Sequence, residues 1–125
     1  MDCGFLSIGR PIVVLSLLIA SAALAQAPSP VATVQYSCAQ GKSLVAEYFD
    51  GPTRTAPDGR PIPGGRVLLT LADGKKLTLP QTLSGSGIRY ANEGESFVFW
   101  SKGNTAFVEE GPGRAVTYRD CVGGK

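Results

Sequence analysis

The 125-residue sequence contains no histidine, and it has one methionine, one tryptophan and three cysteines. Without histidine, the Ser-His-Asp and Cys-His forms of nucleophilic catalysis are excluded. Structural zinc generally takes four Cys or His ligands, which this chain cannot assemble, so neither a metal nor any other cofactor is expected. Charge is sparse and balanced, with 12 Lys and Arg against 10 Asp and Glu and a formal net charge of +2. The cations are scattered, and nucleic-acid binding needs a concentrated basic face. Paired carboxylates exist at Glu93 and Glu95 and at Glu109 and Glu110. They flank turn signals, where solvent keeps a carboxylate ordinary, and nothing around them suggests the apolar pocket of a glycosidase acid. A Ser86–Lys102 dyad lacks a desolvating neighbourhood in the same way. Enzyme activity is not expected.

Long apolar runs are also missing, with one exception. "PIVVLSLLIASAALA", residues 11–25, has the length and the small-residue ending of a secretory signal, with Ala23 and Ala25 placed for cleavage. It is too short for a transmembrane helix, so no membrane span is expected. The organisation read from this is a signal peptide at 1–25, a flexible lead at 26–33 and one domain at 34–125. Cleavage after Ala25 removes Cys3 and leaves Cys38 and Cys121 near the two ends of the domain. An even pair in an exported chain reads as a disulfide.

After residue 31 no segment has helical periodicity. Eight short runs rich in Val, Leu, Thr, Phe and Tyr follow one another: 32–38, 43–49, 66–72, 76–80, 87–91, 96–100, 105–110 and 114–120. Asp73-Gly74 is a strong hairpin signal, and "NEGE", "KGN" and "GPG" supply weaker ones. Residues 50–65 carry four prolines without periodicity and read as a long surface loop. Eight strands and one disulfide predict an all-β, antiparallel domain, a sandwich or a closed barrel. The barrel is favoured because closure removes exposed strand edges.

One segment stands out between two strand patterns. "SGSGIRY", residues 84–90, starts as a flexible turn and ends on an apolar residue, a cation and an aromatic ring. With "YSC" and Gly41, "LTLPQTL" before it, "FWSKG" at 99–103 and the terminal Cys121, it resembles the MliC/PliC family of bacterial inhibitors of c-type lysozyme. The resemblance spans about residues 34–121. It implies a small eight-stranded antiparallel β-barrel with one disulfide, a c-type lysozyme as protein partner, and a loop that enters the enzyme's cleft. The family's serine-glycine-tyrosine pattern falls on Ser86, Gly87 and Tyr90, and its second functional position on Lys102. Tyr90 is expected to anchor the base of the loop by packing its ring, and Trp100 to lie in the core.

Lipid-anchored members carry a cysteine directly after the apolar stretch, where this chain has Gln26 and Ala27. The expectation is therefore a soluble periplasmic protein without a lipid anchor. Arg89, Glu93 and Glu95 are expected at the rim of the contact. Residues 91–110 hold four glutamates against Lys102 alone, a surplus that would steer a basic lysozyme at low salt. The competing expectation is a periplasmic barrel module that binds peptidoglycan or a small ligand on Tyr90, Phe97, Phe99 and Trp100 without inhibiting an enzyme.

Overall fold

All eight sequence runs become strands of one closed barrel. The computed structural model describes residues 28–124, together with residues 9, 12 and 14–16. The expected signal segment and its cleavage point after Ala25 lie almost wholly outside the described residues. The strands are β1 (Ala32–Ser37), β2 (Ser43–Phe49), β3 (Arg54–Thr55), β4 (Pro61–Ile62), β5 (Arg66–Thr70), β6 (Lys76–Thr82), β7 (Ile88–Ala91), β8 (Phe97–Lys102), β9 (Thr105–Glu110) and β10 (Ala115–Gly123). The barrel order is β1-β10-β9-β8-β7-β6-β5-β2, antiparallel throughout.

Residue alternation decides which side chains fill the interior. Tyr36, Leu44, Ala46, Val67, Leu69, Leu79, Phe99 and Val108 are each no more than 2% exposed and form the core with Tyr90, Phe97 and Tyr118. Phe99 touches Tyr36, Tyr48 and Tyr90 at ring-centroid distances of 6.1, 6.4 and 6.1 Å. The same alternation turns Trp100 outward, because its neighbours Phe99 and Ser101 are the buried ones. Trp100 is therefore a wall residue of the barrel's outer face and not the core residue expected from its size.

The Asp73-Gly74 signal closes β5 to β6. Gly74 sits at φ 86°, and the Asp73 carboxylate accepts the Lys75 N–H at 2.9 Å. Residues 50–65 are more than a loop. Arg54 pairs with Ile62 and Thr55 with Pro61, forming a two-stranded hairpin beside the barrel. The Arg54 guanidinium fastens it to β6 by donating to the Gln81 carbonyl at 2.5 Å.

Two junctions of the cylinder are short, β6–β7 and the closing β1–β10, with two residue pairs each. β1 meets β10 through only Tyr36–Gly123 and Ser37–Val122, whereas β1 and β2 share six pairs. The Cys38–Cys121 disulfide sits at this seam. In β10 the register shifts between Tyr118 and Cys121, with Asp120 at φ 52°, and this bulge turns the Cys121 sulfur into the interior.

Strand direction sorts the connections between the two ends. The β6–β7 loop, the β8–β9 turn and the β3–β4 hairpin gather at one end. The β5–β6, β7–β8 and β9–β10 turns gather at the other.

Candidate functional site

Ser86 and Lys102 are brought together at the first of these ends. The β6–β7 loop begins after Thr82, and its serines divide two tasks. The Ser84 hydroxyl accepts the Ser86 N–H at 3.3 Å and donates to the Ser86 carbonyl at 2.7 Å. This local clamp ties off the loop backbone. Among the described residues, no hydrogen bond engages the Ser86 hydroxyl, and its side chain is exposed. The hydroxyl is thus presented outward from a loop held by a neighbour.

Gly87 is required on two grounds. Its φ is +69°, a region costly to residues with a β-carbon. A β-carbon there would also come within 2.7 Å of the Ser101 carbonyl oxygen and 3.1 Å of the Lys102 Cβ. The loop therefore packs directly against the end of β8, beside Lys102. Lys102 pairs with Thr105 across a two-residue turn, and the Thr105 hydroxyl donates to the Lys102 carbonyl at 2.9 Å. The Lys102 side chain is exposed, and among the described residues it forms no ion pair. A groove of about 310 Å³ is lined by Ser86, Lys102, Trp100, Thr105 and Phe107.

Tyr90 lies beneath this surface. It is 4% exposed, and burial pushes its phenol up to about 12, so it stays neutral and packs in the core under the loop. Nearby, Tyr36 and Tyr48 share a hydroxyl contact of 2.7 Å, and Tyr48 donates to Ser101 at 3.2 Å.

Arg89, expected at an exposed rim, is 8% exposed. Its guanidinium lies 5.5 Å from the Trp100 ring centroid, donates to the Thr82 hydroxyl at 2.9 Å and pairs with Glu95 at 3.1 Å. Thr82 also faces Arg89 in the β6–β7 ladder, so these contacts fasten the base of the Ser86 loop. On the other side of Trp100, Phe107 stacks at 5.9 Å and 17°, and the indole N–H donates to Glu109 at 2.7 Å.

The expected acidic rim is corrected by the topology. Glu93 and Glu95 sit in the β7–β8 turn, while Glu109 and Glu110 pair with Val98 and Phe97. All four lie toward the end opposite Ser86 and Lys102, because each strand reverses the chain. The glutamate at 95 instead holds Arg89 and Arg114, the latter at 2.6 Å.

The Arg89 contact, followed by Arg114, holds the Glu95 carboxyl below its ordinary range. Its folded pKa lies under the unfolded value, so its contribution is present above the ordinary glutamate range and lost as pH falls through the folded pKa. Melting temperatures of wild type and Glu95→Gln should differ at neutral pH and approach each other as the pH falls below the ordinary glutamate range. A difference that stays constant over this range would contradict the ion pair. Glu95 is half-exposed, so the difference is expected to be small.

Comparison with known proteins adds an independent line. A family model described as "Membrane-bound lysozyme-inhibitor of c-type lysozyme" matches residues 62–116. A protein named membrane-bound lysozyme inhibitor of C-type lysozyme, from Cupriavidus necator, is 34% identical over 114 residues, covering 84% of this chain and 81% of that protein. One of the same name from Yersinia enterocolitica is 51% identical over 56 residues, and this match spans 45% of the chain and 44% of the Yersinia protein. No solved structure matches the chain.

Proposed function

Because the chain belongs to the MliC/PliC family of c-type lysozyme inhibitors, we propose that it inhibits a c-type lysozyme by setting Ser86 and Lys102 into the catalytic cleft. The observation that carries this reading is their common position. A hydroxyl and an ammonium that have no partner among the described residues line one groove at one end of the barrel.

Lysozyme works with a glutamic acid and an aspartate on either side of the scissile bond. A serine hydroxyl can donate to a carboxylate or accept from a protonated acid, so it serves either carboxyl. An ammonium only donates, which suits the ionised aspartate, and its attraction grows as water leaves the cleft. Ser84, Gly87 and the Arg89 contacts hold the loop before it meets a partner, which lowers the entropy lost on binding. The protein need not alter the enzyme, only occupy the place of the sugar chain and so protect peptidoglycan.

The same reading places the protein in the periplasm, on the strength of the 1–25 signal pattern. The test of function is the rate at which lysozyme clears a cell-wall suspension. Purified protein should suppress clearing by hen egg-white lysozyme at stoichiometric concentrations, and unaltered clearing at large excess would exclude the proposal.

The ligand-module alternative has little geometric support. Tyr90, Phe97 and Phe99 are buried, at 4%, 7% and 0% exposure. Trp100 is contacted by Arg89 and Phe107 from the two neighbouring strands, which cover part of its ring.

A further inference from the structure

We infer that the partner surface continues from Ser86 and Lys102 along the outer face of β8 and β9, with Phe107 as its apolar anchor against the wall of the lysozyme cleft. The inference rests on the function proposed above and adds a contact that the loop reading does not contain.

Interface size gives the first argument. A stable complex buries about 800 Å² per partner and uses about 20–30 residues a side. The exposed residues of the two loops are 85–88 and 102–105, roughly a third of that number, with the β3–β4 hairpin at the same end. A partner touching both Ser86 and Lys102 must also cover the groove between them, since both residues line it. Its remaining wall is Trp100, Thr105 and Phe107.

The chemistry of that wall gives the second argument. Arg89, Trp100 and Phe107 form a ladder across three neighbouring strands. Trp100 is held by Arg89 and Phe107, and its N–H is satisfied by Glu109. Phe107 ends the ladder and remains 38% exposed, although it is a large aromatic on a regular strand. A supported, partly exposed aromatic beside a cation that forms no ion pair among the described residues has the character of an interface anchor. Because its support is built in the free protein, little ordering is needed on contact.

The experiment is calorimetric titration of hen egg-white lysozyme with wild type, Phe107→Ser, Phe107→Leu, Val116→Ser and Lys102→Ala, alongside melting curves and sedimentation of each protein alone. Phe107→Ser should raise Kd at least tenfold and Phe107→Leu severalfold, with melting temperatures close to wild type. Val116, exposed on β10, lines a second hollow with Phe107 on the side away from Ser86 and Lys102, and Val116→Ser should leave Kd within twofold because the contact runs along β8 and β9. If Lys102→Ala weakens binding while both Phe107 variants bind as wild type, the inhibitor reading stands and the Phe107 contact is refuted. A dimer of wild type that Phe107→Ser dissociates, with lysozyme affinity unchanged, would assign the face to a second copy and also refute it. Absence of wild-type binding would remove both.

Discussion

The variant carrying Ser86→Ala and Lys102→Ala together should lose inhibition of lysozyme by at least 100-fold while keeping its melting temperature. Truncating one partner of a desolvated charge pair costs about 2–5 kcal/mol, and a hydrogen bond to a charged group contributes about 1.5–3 kcal/mol. Even the lower ends of these ranges sum to more than a factor of 100, at about 1.4 kcal/mol per tenfold. The fold should not suffer, because both side chains are exposed and neither supports another element in the free protein. Lys102→Ala alone should carry the larger share, since it removes the charge. The check is the inhibitor concentration that halves the rate of cell-wall clearing. A double variant that inhibits as well as wild type would show that the loop is not the inhibitory element.

Loss of the disulfide should have the largest effect on stability. The bridge joins residues 83 apart in sequence, and the chain-entropy account of such a loop gives about 4–5 kcal/mol. For a domain of this size that corresponds to a fall of roughly 20 °C in melting temperature. The location adds to the effect, because β1 and β10 are joined by only two residue pairs. Cys38→Ser should therefore loosen the barrel at this seam. The measurement is a thermal melt of wild type and Cys38→Ser without reductant, with wild type in dithiothreitol as a third curve. The reduced wild type should melt close to the variant. An oxidised wild type no more stable than Cys38→Ser would contradict a structural role for the bridge.

Much of the barrel was legible because its strands alternate strongly and are separated by residues with turn chemistry. Val67, Leu69 and Leu71 share a face in sequence and are all buried in the structure. The β3–β4 hairpin was not legible. Two-residue strands carry no period, and prolines at 52, 57, 61 and 63 suppress the pattern that would announce them.

At the site, proximity in sequence misled. Glu93 and Glu95 follow the Ser86 loop closely, but one strand carries the chain to the far end of the barrel before the turn that holds them. Trp100 is expected in the core because aromatic side chains are more often core than contact residues. Its neighbours Phe99 and Ser101 take the inward positions and leave it on the wall. Register could have found the outer ladder. A two-residue turn after Lys102 places Lys102 opposite Thr105, and so Trp100 opposite Phe107. Arg89 then falls opposite Trp100 on the next strand. Its burial had no such signal, because it depends on a glutamate brought back from the distant turn.

The central claim is occupancy of the cleft, and competition tests it most directly. Lysozyme should be titrated with the protein in the presence of increasing amounts of a chitin-derived oligosaccharide that fills the same cleft. The account predicts that the apparent Kd rises in proportion to the saccharide, as mutual exclusion requires, and that saccharide bound first is displaced. An apparent Kd independent of saccharide, with both ligands on the enzyme at once, would place the contact elsewhere and contradict the account.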